Sequence, residues 1–578
     1  MTPIRVVEKR SESSFAVSNV LDEFYKFEKY ADASVAELSI WKLPIRSVLS
    51  SLYLSADAKF VGGRFNRKMP RDADVGTAMI SRLSYVSSYF GKSPTDIGAH
   101  IDDALSVVDV AVARDFEQLL GYAHFCEIVP LVRNGFFTVE SRESGFHLRH
   151  PNVDFIRHEE NDILMSEIVL PHDLVRPPYP IQHCIEMVKS WPRIAGDTLI
   201  GVLKPAFDHY IDNIFELPLL SDAAFAESFG FERQDFIRMR AALMGYADFC
   251  LGMADAAELL SARAFPCYRR KRLQREVREW TAPLLNRNHI IGIAAGVSGV
   301  DPPVAEKIVN LFTIVTSDLK NSGGGDGFFP PFFRLGGSLL FSPHAVKFMM
   351  PERNLLYRTA RTDQRTFDNV VSGSLEPSLL QDAVKCFSDM PNVVVRPEVN
   401  WRNGEIDLLV YHAPTNTALQ IQAKAAIPPQ GARMVARLES RSLEAAEQIK
   451  RFLDLSEKER DTICSAAIGK KVEGVSWTSA VMTRTCLGTE KAWSAIAGYV
   501  PLNPVMLKAA VKRMVHDKVP LSEIGNVVGE ELKGLRANAV RGWQDKSFKL
   551  FGQTIELPLL NLNYEAIAEF RKTALAQD

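Results

Sequence analysis

A chain of 578 residues with 46% hydrophobic and 24% charged residues is composed like a soluble globular protein of about three to four domains. A formal net charge of −2 excludes a global cationic field, so any surface for nucleic acid has to be local. Seven dispersed cysteines (126, 184, 250, 267, 386, 464 and 486) without a CxxC pair disfavour disulfides and a zinc site; with no apolar leader and no run near the roughly 18–20 apolar residues of a membrane span, a cytoplasmic protein without a membrane partner is expected.

In chain order, residues 1 to about 130 read as helix, with helical spacing in Val20, Leu21, Phe24, Phe27 and Tyr30 and again in Met79, Ile80, Leu83, Val86 and Phe90. Phe136–Glu140 and Phe146–Arg149, joined by the turn-like Ser141–Gly145, predict a hairpin that closes a domain over 1–152. Helical periodicity returns from about 155 to 290 in a second domain, 153–320, with Pro171, Pro177, Pro178 and Pro180 marking one boundary. It includes one long helix across Phe231–Leu260, then a basic helix from Tyr268. Residues 321–368 read as a junction, because Gly323-Gly324-Gly325-Asp326-Gly327 runs into Phe328-Phe329-Pro330-Pro331; lacking a following Lys-Ser/Thr and a helix, it is a linker and not a phosphate loop. A strand and turn over Gly336–Pro343 lead into a further helix.

From 369 to 500 the pattern becomes α/β. A helix with Leu379, Leu380, Ala383, Val384 and Phe387 inside precedes a strand at Val393–Val399. Two more strands, a helix across Leu443, Ala446, Ile449 and Leu453, and a strand at Trp477–Thr483 follow, so a mixed sheet flanked by helices is expected. Residues 501–578 read as a helical extension with a β-like insertion near Phe548–Phe551. The fold class expected is therefore multidomain, a mainly α-helical N-terminal region plus a C-terminal α/β domain.

The chemistry concentrates in Gly404–Val410 and in Gln420-Ile421-Gln422-Ala423-Lys424. Residues i and i+2 of a strand share a face, so Glu405, Asp407, Leu409 and Tyr411 lie on one side of the first strand, and Gln420, Gln422 and Lys424 on one side of the second. The link Ala413–Thr417 is made of turn formers, and a hairpin there brings Asp407, Gln422 and Lys424 together. A carboxylate in a largely apolar strand is costly unless a metal or cation offsets it. The bland alternatives are a strand-end aspartate bonded to backbone amides and an edge-strand lysine facing water.

These residues resemble the PD-(D/E)xK nuclease superfamily, most closely its Mrr-like branch with glutamine as the middle residue of a D…QxK motif, over roughly residues 370–500. The resemblance implies a restriction-endonuclease-like domain in which Asp407, Gln422 and an acid on the preceding helix hold Mg²⁺ or Mn²⁺ while Lys424 acts on the attacking water. Glu376, ahead of Leu379 and Leu380 in what reads as the first turn of its helix, is that acid, or else it complements the helix dipole. Glu398 is a weaker candidate, and Glu405 shares the face of Asp407 nearer the strand end.

Gln448 opens a segment similar to the Q-xxx-Y element of exonucleases in the superfamily, with Phe452 in place of Tyr. Arg437, Arg441, Glu444, Gln448 and Arg451 recur at helical spacing as one polar stripe, either phosphate-binding or simply solvated. In the basic helix, Arg269, Arg270, Lys271, Arg272, Arg275 and Arg278 can track a phosphate backbone or form a solvated face. The reading is a Mg²⁺-dependent nuclease acting on nucleic acid, DNA foremost and in defence against foreign DNA by analogy, with the helical N-terminal region as the surface for a protein partner or second copy. The competing reading is a non-catalytic nucleic-acid or protein-binding module on a degenerate nuclease fold.

Overall fold

The computed structural model describes residues 12–52, 84–94, 110–169, 180–190, 196–213, 218–263, 267–315, 330–348, 351–388, 390–428 and 432–576. The chain falls into two units, one of Met1–Val153, Val315–Phe329 and Trp543–Leu560, the other of Asp154–Ile314, Pro330–Gly542 and Asn561–Asp578. The architecture is mixed α/β, largely helical toward the N-terminus, with sheets of four, five and four strands among the described residues.

In the first unit the helices Glu12–Ala36 and Val110–Arg133 meet through Phe24, Phe27 and Phe125, the Phe27 and Phe125 rings edge-to-face with centroids 5.4 Å apart. Edge-to-face contacts of this kind add to the burial of large rings. The periodicity at Met79–Phe90 is a 3₁₀ helix over Ser84–Lys92, where Val86 and Phe90 are buried; Met79, Ile80 and Leu83 lie outside the described residues. Thr138–Arg142 and Gly145–Arg149 form the antiparallel hairpin, which does not end the sheet. Gly145 pairs in parallel with Thr554, so the long hairpin Val540–Leu550 and Gln553–Leu562 continues it, extending well beyond the β-like insertion expected near Phe548–Phe551. Gly145 permits this: its φ is +151°, and a Cβ there would meet the Thr554 carbonyl at 1.9 Å.

In the second unit the helix Arg233–Ala262 is buried nearly all round, and its small residues let neighbours approach closely. At Gly245 a Cβ would stand only 3.2 Å from the Ala206 Cβ. The basic helix Cys267–Thr281 packs along it through Leu273 and Trp280, and leaves Arg269, Arg270, Lys271 and Arg272 exposed. Residues 330–368 are not a junction. Phe332, Phe333 and Phe341 are fully buried, the strands Phe332–Leu335 and Ser338–Phe341 pair antiparallel, and Glu352 accepts from the Leu219 and Leu220 amides (3.1 and 3.0 Å) and from Arg233 (2.6 Å). The Gly323–Gly327 segment lies outside the described residues, as do Pro171, Pro177 and Pro178.

The α/β part of this unit is a five-stranded sheet of β1 (Val393–Trp401), β2 (Gly404–His412), β3 (Thr417–Lys424), β4 (Ser476–Thr483) and β5 (Val500–Leu502). Its order is β5-β4-β3-β2-β1, with β1, β2 and β3 antiparallel and β4 and β5 parallel to β3. Helix α1 (Ser372–Phe387) precedes the sheet, and α2 (Ala432–Leu453) and α3 (Glu457–Ile468) carry the crossover from β3 to β4. Asn416 at φ +50° turns the chain between β2 and β3 after a 3₁₀ turn over Ala413–Thr415. Strand β3 is buried along its whole length, as a central strand covered on both faces must be.

Candidate active site

Asp407 lies where the sheet opens. On one side the β1–β2 pairing passes from Pro397↔Leu408 to Val399↔Ile406 and skips Glu398, whose φ is +54°. On the other, the β2–β3 ladder runs from His412↔Thr417 to Leu408↔Ile421, and side chains take over from there. Asp407 Oδ2 accepts from the Ala423 amide at 2.7 Å, and Gln422 Nε2 donates to the Glu405 carbonyl at 2.7 Å. Asp407 is 7%, Gln422 0% and Lys424 8% exposed, which removes the reading of Lys424 as a solvated edge lysine. β3 is the middle strand.

Burial is the main reason the Asp407 carboxyl is pushed up to about 7; the Ala423 amide and the Lys424 cation oppose the shift, and Glu376 and Glu405 add to it. Glu376 is half-buried and also raised, first by burial, with Lys424 and Arg441 lowering it and Glu444 and Glu405 raising it. Glu376, Glu405, Asp407 and Glu444 therefore share one field with Lys424 and Arg441. α1 is continuous with Gln364–Thr366 through a π-helical stretch over Phe367–Val371, so Glu376 is not in a first turn and the helix-dipole explanation for it lapses. Glu398 is exposed, and it is not among the groups that shift Asp407.

Gln422 Oε1 is buried without a hydrogen-bond partner, as is Oε1 of Gln420, which shares its face and donates through Nε2 to Ser479 Oγ at 2.8 Å. An unpaired buried carbonyl costs about 1–3 kcal/mol unless a ligand or water satisfies it. Among the described residues no group of three or more His, Cys, Asp or Glu is placed to hold a metal. A centre here has to draw on the amide, and two carboxylates with an amide oxygen are a hard, all-oxygen set that fits Mg²⁺ or Mn²⁺.

Of the α2 stripe, Arg441 pairs with Glu444 at 3.0 Å and reaches the Glu376 field, while Gln448 turns a buried Oε1 without a partner inward. Arg437 and Arg451 are exposed, Arg451 bonding only its own helix at Glu447 O (3.4 Å). The structure gives Arg269, Arg270 and Lys271 no ion pair among the described residues, whereas Arg272 and Arg275 pair with Glu276 and Glu279 on their own helix.

The loop after β4 was not marked by any sequence signal. Thr483 pairs with Lys424, Arg484 bridges to Asp382 of α1 at 2.5 Å, and Ser442 of α2 donates to Leu487 O at 2.6 Å. Asp162 Oδ1, on the helix Val153–Glu167, accepts from the Leu487 and Gly488 amides and from Trp493 Nε1 at 2.8, 3.0 and 2.9 Å. The loop thus fixes α1 and α2 against the strand that carries Lys424. Gly488 has φ +126°, and a Cβ there would stand 2.8 Å from Glu439 Cα. Gly488→Ala is expected to cost about 2 kcal/mol or more, because both the backbone angle and α2 have to give. Thermal melting beside wild type checks this; an unchanged melting temperature would show that the loop adjusts freely.

Compared with protein-family models, curated proteins and solved structures, the chain matches none. Among the described residues no helix is long and apolar enough to cross a membrane.

Proposed function

We propose that the protein is a metal-dependent nuclease that hydrolyses phosphodiester bonds, DNA foremost, on a restriction-endonuclease-like domain formed by the five-stranded sheet with α1 and α2. The observation that carries this reading is the convergence of buried Asp407, the unpaired Gln422 Oε1 and buried Lys424 where the sheet opens, with Glu376 on α1 within their electrostatic field. Asp407, Gln422 and Glu376 would hold Mg²⁺ or Mn²⁺, which when bound lowers the pKa of a water and neutralises charge on the phosphate. Lys424, held in a buried strand, orients the attacking water and donates to the phosphate oxygen that gains charge. Arg441 offers a cation beside the scissile phosphate, and exposed Arg269, Arg270 and Lys271 offer contacts to the backbone further along. A role in defence against foreign DNA rests on resemblance alone.

The test is incubation of the full chain with duplex, single-stranded and supercoiled DNA in Mg²⁺ or Mn²⁺. Cleavage by wild type and its loss in Asp407→Ala and Lys424→Ala are expected. No cleavage under any condition, or cleavage indifferent to both changes, would leave the binding-module reading instead.

The Asp407 shift sets a pH dependence. With its carboxyl at about 7, a proton occupies the ligand below that value and has to leave for a cation to bind. The Mg²⁺ concentration for half-maximal cleavage is expected to fall about tenfold per pH unit up to about pH 7 and to level off above it. A metal requirement flat between pH 5.5 and 8 would contradict this.

A further inference from the structure

Beside the sheet, the helix Val153–Glu167 and the segment from Trp493 to Pro501 enclose a cavity of about 270 Å³ lined by Arg157, His158, Asn161, Trp493, Tyr499 and Pro501. Arg157 and Asn161 are four apart on one helix and so project from the same side. The His158 and Trp493 rings are nearly parallel, 6.2 Å between centroids at 14°. Trp493 is anchored by its bond to Asp162, so this wall is rigid. The side chains of Arg157, Asn161 and Tyr499 have no polar partner among the described residues, and His158 Nδ1 is buried without one. The buried His158 Nδ1 is the group that calls for a partner, and Arg157, Asn161 and Tyr499 are uncommitted side chains around the same cavity that can turn to a ligand.

Their chemistry describes it. The half-buried His158 ring, backed by Trp493, offers one aromatic wall to a planar heterocycle. An amide with donor and acceptor side by side matches the edge of a nucleobase. A guanidinium without an acidic partner matches a phosphate. The larger π-face of a purine covers such a wall better than a pyrimidine does. The volume falls below the roughly 300 Å³ at which pockets for drug-sized ligands begin, so it takes one nucleotide unit and no more of a strand than its end. We propose that this cavity binds a nucleoside monophosphate unit, free or at the end of a strand. The proposal does not rest on the nuclease reading, since none of its residues belongs to the Asp407 centre.

Calorimetric titration of the full chain in metal-free buffer tests it, with AMP, UMP, adenosine, inorganic phosphate and a 5′-phosphorylated trideoxyadenylate as probes. AMP is expected to bind at least tenfold more tightly than adenosine or phosphate, and more tightly than UMP. Arg157→Ala, at an exposed position, should weaken AMP about tenfold and leave adenosine unchanged; Asn161→Leu should weaken both. The trideoxyadenylate binding more tightly than AMP, with the same response to Arg157→Ala, assigns the site to a strand end; weaker binding assigns it to the free nucleotide. Phosphate binding as well as AMP, AMP affinity unaffected by both substitutions, or no AMP binding at millimolar concentration would each overturn the proposal.

Discussion

Asp407→Asn is expected to abolish cleavage, by about a thousandfold or more, and at the same time to make the metal-free protein more stable at pH 8. The sign follows from the direction of the shift. Burial raises the folded carboxyl from its ordinary 3.8 to about 7, so its contribution is fully present below the ordinary value and is lost as pH rises through 7. At pH 8 the folded chain has to hold a buried carboxylate, and the asparagine does not. At about 1.36 kcal/mol per unit, less what relaxation and water recover, the gain is on the order of 1–3 kcal/mol. The asparagine side-chain oxygen can still accept from the Ala423 amide, so the strand keeps that bond. Thermal melts in EDTA should show the variant above wild type at pH 8 and the difference shrinking toward pH 5. A variant less stable than wild type at both pH values would mean that Asp407 is there to bind the Ala423 amide and not a cation.

The Gln422 series has the second large effect. Gln422→Glu adds a charge next to Asp407 and should lower the Mg²⁺ needed for half-maximal cleavage on the order of tenfold. Gln422→Leu should abolish cleavage and leave the fold intact, because it removes a buried oxygen that has no partner as well as the Nε2 bond to Glu405. The added carboxylate can also pair with Lys424 and draw it off the water, which lowers turnover even as metal binds better. Metal affinity by calorimetry and turnover measured separately distinguish the two effects. Equal Mg²⁺ dependence in all three proteins would remove Gln422 from the site.

The hairpin that carries Asp407 and Lys424 was legible in the sequence because two physical signals agreed on it. Period-two alternation put the polar residues on one face, and turn formers closed the link, with Asn416 taking the left-handed angle. The burial of Lys424 was left open, because the same alternation fits an edge strand; its place on the middle strand of the sheet decides it. Glu376 was found on the right helix, but its place along that helix was hidden, since nothing local announces a π-helical continuation back to Gln364. The strand and turn over Gly336–Pro343 and the helix after them were legible, but the Gly and Pro just before them read as a junction; only the tertiary packing of Phe332, Phe333 and Phe341 makes the stretch core. The parallel pairing of Gly145 with Thr554 and the hold of Asp162 on the Leu487 amide join residues hundreds of positions apart, where periodicity carries no information. The charge of the basic helix was legible, but the partial neutralisation of Arg272 and Arg275 by their own helix depends on rotamers.

The central claim is that Asp407, Gln422 and Glu376 form a divalent-cation centre beside Lys424, and it can be tested without knowing the substrate. Calorimetric titration of the full chain with Mn²⁺ at pH 8 should show one site, lost in Asp407→Asn and weakened at least tenfold in both Gln422→Leu and Glu376→Gln. No binding by wild type, or the same binding in wild type and all three variants, would contradict the account.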